Sequence, residues 1–318
     1  MSHRPILEKF PQVDHHQANG KLADLYDDIH CTLRVPWVAF GIRVMSQFEH
    51  FVTAAWAALK PQISTRYAEE GADKIREAAI IPAPAPANPT PALRASGWSE
   101  GEIVKLKSTL DGLNYGNPKY LILITAWNEA WHGRDAGGGT GKPLDSAQCE
   151  RLPYGLPKGV EEFNLVEPDA AGKDVQILRW DIRDAFLHHG PVSDYRVLAA
   201  WPDYLAMAFR DTLKPVALSA EYEETTRRIR KIARDHVRGF DATGGIAWRD
   251  LTNRLTPDQI AGLTGLLFMN NRFIADITVA IIRLKQALSG ATRTPRRTSS
   301  PFDLFGAVSL MRCSESLW

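Results

Sequence analysis

DDIHCTLRVPWVAFGIRV, residues 27–44, and WDIRDAFLHHGPVSDYRVL, residues 180–198, are two copies of one pattern in a single chain. Asp28-Ile29 matches Asp181-Ile182, and Pro36 matches Pro191. Just past the proline the copies diverge: one offers Trp37 and Phe40, the other Ser193, Asp194 and Tyr195. A duplicated scaffold with aromatics on one half and a carboxylate on the other predicts an asymmetric pocket between two unequal halves.

The duplication continues outward. WAALKP at 56–61 aligns with FRDTLKP at 209–215 after one gap, and SEGEI at 99–103 aligns with TPDQI at 256–260. The latter pair read as capping boxes, in which a Ser or Thr caps a helix and a Glu or Gln three residues on reaches back. Pro257 suits a first helical position. Asn114 falls opposite Asn270-Asn271, ahead of the apolar runs 120–127 and 277–284. The period is too long for a solenoid unit. The expectation is an all-α pseudo-dimer of two tandem helical repeats with the active site between them. Residues 1–132 form the first repeat, 133–171 a linker, 172–289 the second repeat and 290–318 a flexible tail.

Composition narrows the function. With 318 residues there is ample length for a large core, and 38 Lys+Arg against 37 Asp+Glu leave a net charge of +1, which argues against nucleic-acid or membrane-surface partners. The basic run RTPRR at 293–297 sits in a Ser/Thr/Pro-rich tail and reads as solvated chain. Cys31, Cys149 and Cys313 have no CxxC spacing, so no disulfide framework or zinc site is expected and a reducing cytoplasm fits. The polar, proline-broken start and apolar runs far short of the roughly 20 residues that cross a bilayer lead to the expectation of a soluble cytoplasmic protein.

Most segments carry helical spacing. Leu22, Leu25, Tyr26 and Ile29 share one face, as do Phe48, Phe51, Val52, Ala55 and Trp56 within a long apolar stretch, 38–59. Residues 64–79 and 221–237 read as charged surface helices with one apolar stripe. The β-branched runs 121–125 and 277–282 lack hairpin turn signals and read as buried helices. PAPAPANPTP at 82–91 is an extended connection, because proline removes donors and fixes φ; its counterpart is the shorter 239–245. Residues 133–172 form a linker, and PFDLFGAVSL at 301–310 is apolar enough to dock.

Three tempting sites fail. GGGTGKP at 137–143 has Ala136 and Pro143 where a phosphate loop needs Gly and Ser/Thr. Adjacent histidines, His15-His16 and His188-His189, point apart on a helix and do not chelate; the second pair reads as a helix C-terminus. No nucleophile elbow is present, and no cysteine has an activating neighbour in sequence. The turn at 190–194 remains. On spacing alone Asp194 reads first as a helix N-cap. Its aromatic repeat partner and Asn117, expected to begin a helix in NYGNPKY, make a second reading: an Asp and an Asn holding a water in a pocket walled by Trp and Phe.

LRVPWVAFG, NYGNPKYL, HHGPxSD and AGLTGxLFMxxRFIADIT together resemble the group I 2-haloacid dehalogenases, an all-helical type that needs no cofactor and no metal. The resemblance covers residues 20–288. It implies hydrolysis of short 2-haloalkanoic acids to 2-hydroxyalkanoic acids with inversion at the α-carbon. Asp194 corresponds to the family's base and Asn117 to its water-positioning amide. Trp37 and Phe40 match the pocket aromatics, and Phe273, Ile274 and Ile277 match the remaining wall. The substrate carboxylate is expected near Ser193 and the backbone N–H groups at the start of the Asp194 helix. Two departures bear on specificity: Val192 replaces a small alanine of the non-stereospecific members, and Asn270 stands where a pocket tyrosine is expected. The partners implied are a haloacid and water; a homodimer is compatible with the sequence. A helical carboxylate-binding protein without turnover is the alternative.

Overall fold

A computed structural model describes residues 11–134, 143–160, 163, 165–167, 171–188, 192–240, 252–289 and 305–309. The fold is all-α, as expected. Its helices run α1 (Gly20–Leu33), α2 (Phe40–Met45), α3 (Glu49–Ile63), α4 (Arg66–Ala78), α5 (Thr90–Ala95), α6 (Glu100–Trp131), α7 (Lys173–Phe186), α8 (Ser193–Leu198), α9 (Pro202–Ala208, continued by a π turn, Phe209–Leu213), α10 (Ala220–Val237) and α11 (Pro257–Ser289). One two-stranded antiparallel ladder joins β1 (Leu156–Pro157) to β2 (Val308–Ser309).

Three pairs of helices match in length. Helices α1 and α7 each have 14 residues and each end on a left-handed residue, Arg34 at φ 62° and Leu187 at φ 53°. Helices α2 and α8 each have 6 residues, and α6 and α11 have 32 and 33.

The two long helices form the centre. They run antiparallel, since Lys285 pairs with Asp111 at 2.6 Å, Asn271 Nδ2 donates to Thr125 Oγ1 at 2.8 Å and Trp131 Nε1 donates to Thr264 Oγ1 at 2.8 Å. Every residue of α6 from Gly112 to Ala130 is buried, because α4, α10 and α11 all pack on it. Both runs of β-branched residues read as buried helix lie in this pair. One stretch of α11 is long and apolar enough to cross a membrane by composition alone, although the sequence showed only short apolar runs; 67% of that stretch is buried inside the fold, where a core helix needs the same composition.

Local signals explain the starts. Ser99 and Glu102 complete a reciprocal capping box on α6, and Thr256 and Gln259 make the matching pair ahead of α11. The apolar stretch 38–59 is two helices rather than one, broken at residues 46–48. Residues 82–89 form no helix or strand, and helix resumes at Thr90. Most of the 239–245 counterpart lies outside the described residues, as does the glycine-rich run 135–142. Within the 301–310 stretch expected to dock, Val308 and Ser309 pair with the linker strand, and the Arg66 guanidinium lies 4.7 Å from the Phe305 ring centroid; these tail residues rest on the body instead of standing free. Cys149 is free, but Cys31 is disulfide-bonded, which cysteine spacing did not reveal.

Buried charge ties the site-bearing elements together. Glu69 on α4 meets Arg76 at 3.3 Å and Lys119 at 2.6 Å, and Lys119 Nζ donates to the Leu33 carbonyl at the end of α1 at 3.0 Å. Burial pushes the Lys119 ammonium down to about 7 despite the carboxylate beside it. This cluster clamps the exit of α1, and hence the segment carrying Trp37, onto α6 two residues from Asn117.

Candidate active site

Asp194 is the second residue of α8 and is 4% exposed. Its expected N-cap role is not observed: Val192 is the N-cap residue, and it makes no side-chain cap. Instead Asp194 Oδ1 accepts from Asn117 Nδ2 at 2.7 Å. Asn117 does not begin a helix, contrary to the reading of NYGNPKY. It lies deep inside α6, one residue before Pro118, where complete burial holds the helix through a proline that removes one backbone donor. Burial pushes the Asp194 carboxyl from 3.8 up to about 6, and the Asn117 N–H and its own backbone N–H, which favour the ionised form, hold it back from rising further.

These two residues floor a small cavity lined by Trp37, Ala39, Phe40, Gly41, Val192, Ser193, Asn270, Phe273, Ile274 and Ile277. All ten residues singled out from sequence therefore meet at one place. The cavity volume is about 20 Å³, room for about one water. A larger cavity of about 340 Å³ lies elsewhere, between Lys105, Thr109, Phe163 and Trp201, and shares none of these residues.

Each wall is set by its element. The Trp37 carbonyl accepts from the Tyr120 hydroxyl, and its indole lies 5.2 Å from the Phe163 ring. That indole presses onto α6 where Gly116 has no side chain; a Cβ there would sit 2.3 Å from Trp37 Cη2. The same device recurs at Gly41, where a Cβ would sit 2.7 Å from Asn270 Cγ. Asn270 is held from the other side, its Nδ2 donating to the Leu266 carbonyl of α11 at 2.8 Å. Phe273 meets the His188 ring edge-on at 5.1 Å, so His188, buried just past the end of α7, backs the wall; His189 lies outside the described residues. Ser193 Oγ accepts from Arg43 Nη2 at 3.2 Å.

Ala39, Gly41 and Arg43 were missed in the sequence. The first two sit inside the quoted WVAFG motif, and attention to that whole motif would have found them. Arg43 has a different signal: it is the fourth residue of α2, as Arg196 is of α8.

The chain's relatives point the same way. The sequence profile described as Halocarboxylic acid dehydrogenase DehI matches residues 36–153. A configuration-inverting 2-haloacid dehalogenase of Pseudomonas sp. (strain 113) is 81% identical over 92% of this chain and 95% of its own length. Another protein of that description, from Alcaligenes xylosoxydans xylosoxydans, is 40% identical over 93% and 98%. Among solved structures, a D-2-haloacid dehalogenase in complex with L-LA superposes with a TM-score of 0.79 at 26% identity, covering 88% of this chain and 97% of that one. The chain is an all-helical enzyme of carbon–halide hydrolysis by fold and kinship. It belongs to the family of 2-haloacid dehalogenases.

Proposed function

We propose that this enzyme hydrolyses short 2-haloalkanoic acids to 2-hydroxyalkanoic acids with inversion, and that Asp194 and Asn117 activate the attacking water. One observation carries the reading: a buried carboxylate and amide 2.7 Å apart border an apolar-walled space for about one water. Asp194 takes a proton from that water as its oxygen bonds to the α-carbon from the side opposite the halogen. The carbon–halogen bond breaks, halide leaves with its electron pair, and Asp194 later returns the proton to solvent. A positioned base of this kind contributes about 10²–10⁴ in rate. A carboxyl near 6 is a stronger base than an ordinary aspartate yet is still ionised at neutral pH.

Trp37, Phe40, Phe273, Ile274 and Ile277 exclude bulk water and receive the alkyl group and halogen, and Ser193 receives the carboxylate. Val192 narrows the space in which the two enantiomers exchange alkyl and hydrogen, so one enantiomer turns over faster. The matched lengths and left-handed ends of α1 and α7, with the paired lengths of α2 and α8 and of α6 and α11, support a pseudo-dimer of two repeats at 1–132 and 172–289 joined by a linker.

Halide release from the separate enantiomers of 2-chloropropionate is the test of activity; binding without release from either supports the silent carboxylate-binding alternative. A single turnover in ¹⁸O-water tests the mechanism. Label in the first product supports activated water, and unlabelled product requires Asp194 to have attacked the carbon directly and formed an ester.

A further inference from the structure

The residues lining the candidate cavity include no Lys, Arg or His, although the proposed substrate enters as an anion. A cationic group lies directly behind them. Arg43 is 1% exposed, and each of its guanidinium nitrogens has a partner: Nη1 donates to the Val38 carbonyl at 2.7 Å, Nε faces Asp14 Oδ1 at 2.9 Å and Gln12 Oε1 at 3.2 Å, and Nη2 donates to Ser193 Oγ at 3.2 Å. Arg196 reaches the same Asp14 at 3.5 Å and the half-exposed Glu167 at 2.8 Å. Asp14 and Glu167 together balance the two guanidiniums, and Arg43 is the cation that stands one hydroxyl away from the cavity.

A hydroxyl has one proton to give and two lone pairs to receive. Because Arg43 occupies the oxygen as a donor, the Ser193 proton is free to point elsewhere, and among the described residues nothing accepts it. We propose that Arg43 is the positioning residue for substrate-carboxylate recognition: it orients Ser193 as a donor into the cavity and supplies, through that hydroxyl, the positive charge that the lining itself lacks. It acts on binding and not on the base, since the Asp194 proton is governed by burial, Asn117 and the Asp194 backbone amide. The inference rests on the dehalogenation reading but is separable from it.

The experiment has two readouts. Halide release at saturating and limiting 2-chloropropionate separates kcat from KM, and calorimetric titration with 2-hydroxypropionate measures anion binding without turnover. A hydrogen bond involving a charged group is worth enough that Arg43→Met should raise KM and the product dissociation constant about tenfold or more, with kcat and the acidic limb of the pH profile nearly unchanged. Ser193→Ala should do the same, and the double variant should be little worse than either single one, because one contact is lost in all three. Additive losses, or a fall in kcat at constant KM, overturn the proposal. Should Arg43→Met not fold with Asp14 left unpaired, Arg43→Lys and Ser193→Ala decide: weaker anion binding in both supports the contact, and wild-type affinity in either overturns it. A wild type that binds 2-hydroxypropionate but releases no halide refutes dehalogenation and leaves the Arg43 contact standing.

Discussion

Replacing Asp194 by Asn should abolish turnover and make the protein more stable, by an amount that depends on pH in a stated direction. The carboxyl is held at about 6 in the fold against 3.8 ordinarily, so ionised Asp194 is disfavoured by burial. A group whose pKa is raised on folding stabilises the native state most when protonated. The native state binds more protons than the unfolded chain between 3.8 and about 6, so this contribution to stability falls as pH rises through that window. The shift of about 2 units corresponds to about 3 kcal/mol. Asparagine cannot ionise and keeps an oxygen in place for the Asn117 amide, so it escapes this cost. Asp194→Asn should therefore be about 3 kcal/mol more stable than wild type at pH 8 and nearly equal to it at pH 4.

Urea unfolding of both proteins at several pH values reads the difference directly, provided the m-values agree. A variant no more stable than wild type at pH 8, or a difference that does not change with pH, would falsify the assignment of Asp194 as a carboxylate kept ionised against its surroundings. The same result would detach the base from the cost that marks it.

Four other outcomes follow from the geometry. On the acidic side kcat/KM should fall tenfold per pH unit below about 6, the value at which Asp194 takes up its proton; a limb centred near 4 would point to a solvated base. Asn117→Ala removes the donor that holds that value down, so the limb should move to higher pH as the maximal rate drops about 10²-fold or more; a lower limb refutes the pairing. Gly41→Ala places a Cβ 2.7 Å from Asn270 Cγ and should cost activity by displacing that wall, whereas Gly41→Ala/Asn270→Ala should recover most of it; a double variant as poor as the single one rules out the steric cause. His236 is buried with Nε2 on the Tyr67 carbonyl at 2.8 Å, and burial together with Lys74 depresses it from 6.5 to about 4. Its contribution is present above 6.5 and is lost as pH falls through about 4, so His236→Gln should flatten the acid-induced loss of stability in that range by about 3 kcal/mol at most.

What could be read from the sequence was local or repeated. The helical face of Leu22, Leu25, Tyr26 and Ile29, the two capping boxes and the buried character of 121–125 and 277–282 follow from side-chain spacing and from donors that a neighbouring residue satisfies. Trp37, Phe40, Ser193, Asp194 and Asn117 stood out where the repeat diverges or breaks, and the other cavity residues came from matching motifs against a family; no spacing rule places Asn117 beside Asp194. That juxtaposition depends on α6 remaining helical through Pro118, and the local cost of the proline is outweighed by packing from three other helices. Arg43 was passed over for a related reason. A lone arginine in a sequence reads as surface charge, and its partners here, Asp14, Val38 and Ser193, come from separate segments.

The divergence after Pro36 and Pro191 has a physical logic in this fold. Helices α1 and α7 both stop on a left-handed residue, and the next helix after each has six residues. Both short helices carry an arginine at the fourth position, and Asp14 binds the two together. The two helices thus share one electrostatic anchor while presenting opposite surfaces to the cavity. One brings Phe40 and Gly41, the second of which leaves room for Asn270; the other brings Ser193 and Asp194. A base raised by desolvation needs apolar neighbours, and an anionic substrate needs positive charge within reach. In the proposed mechanism, placing the arginines behind Ser193 rather than beside Asp194 meets both demands, because a guanidinium in contact with the base would lower its pKa and weaken it.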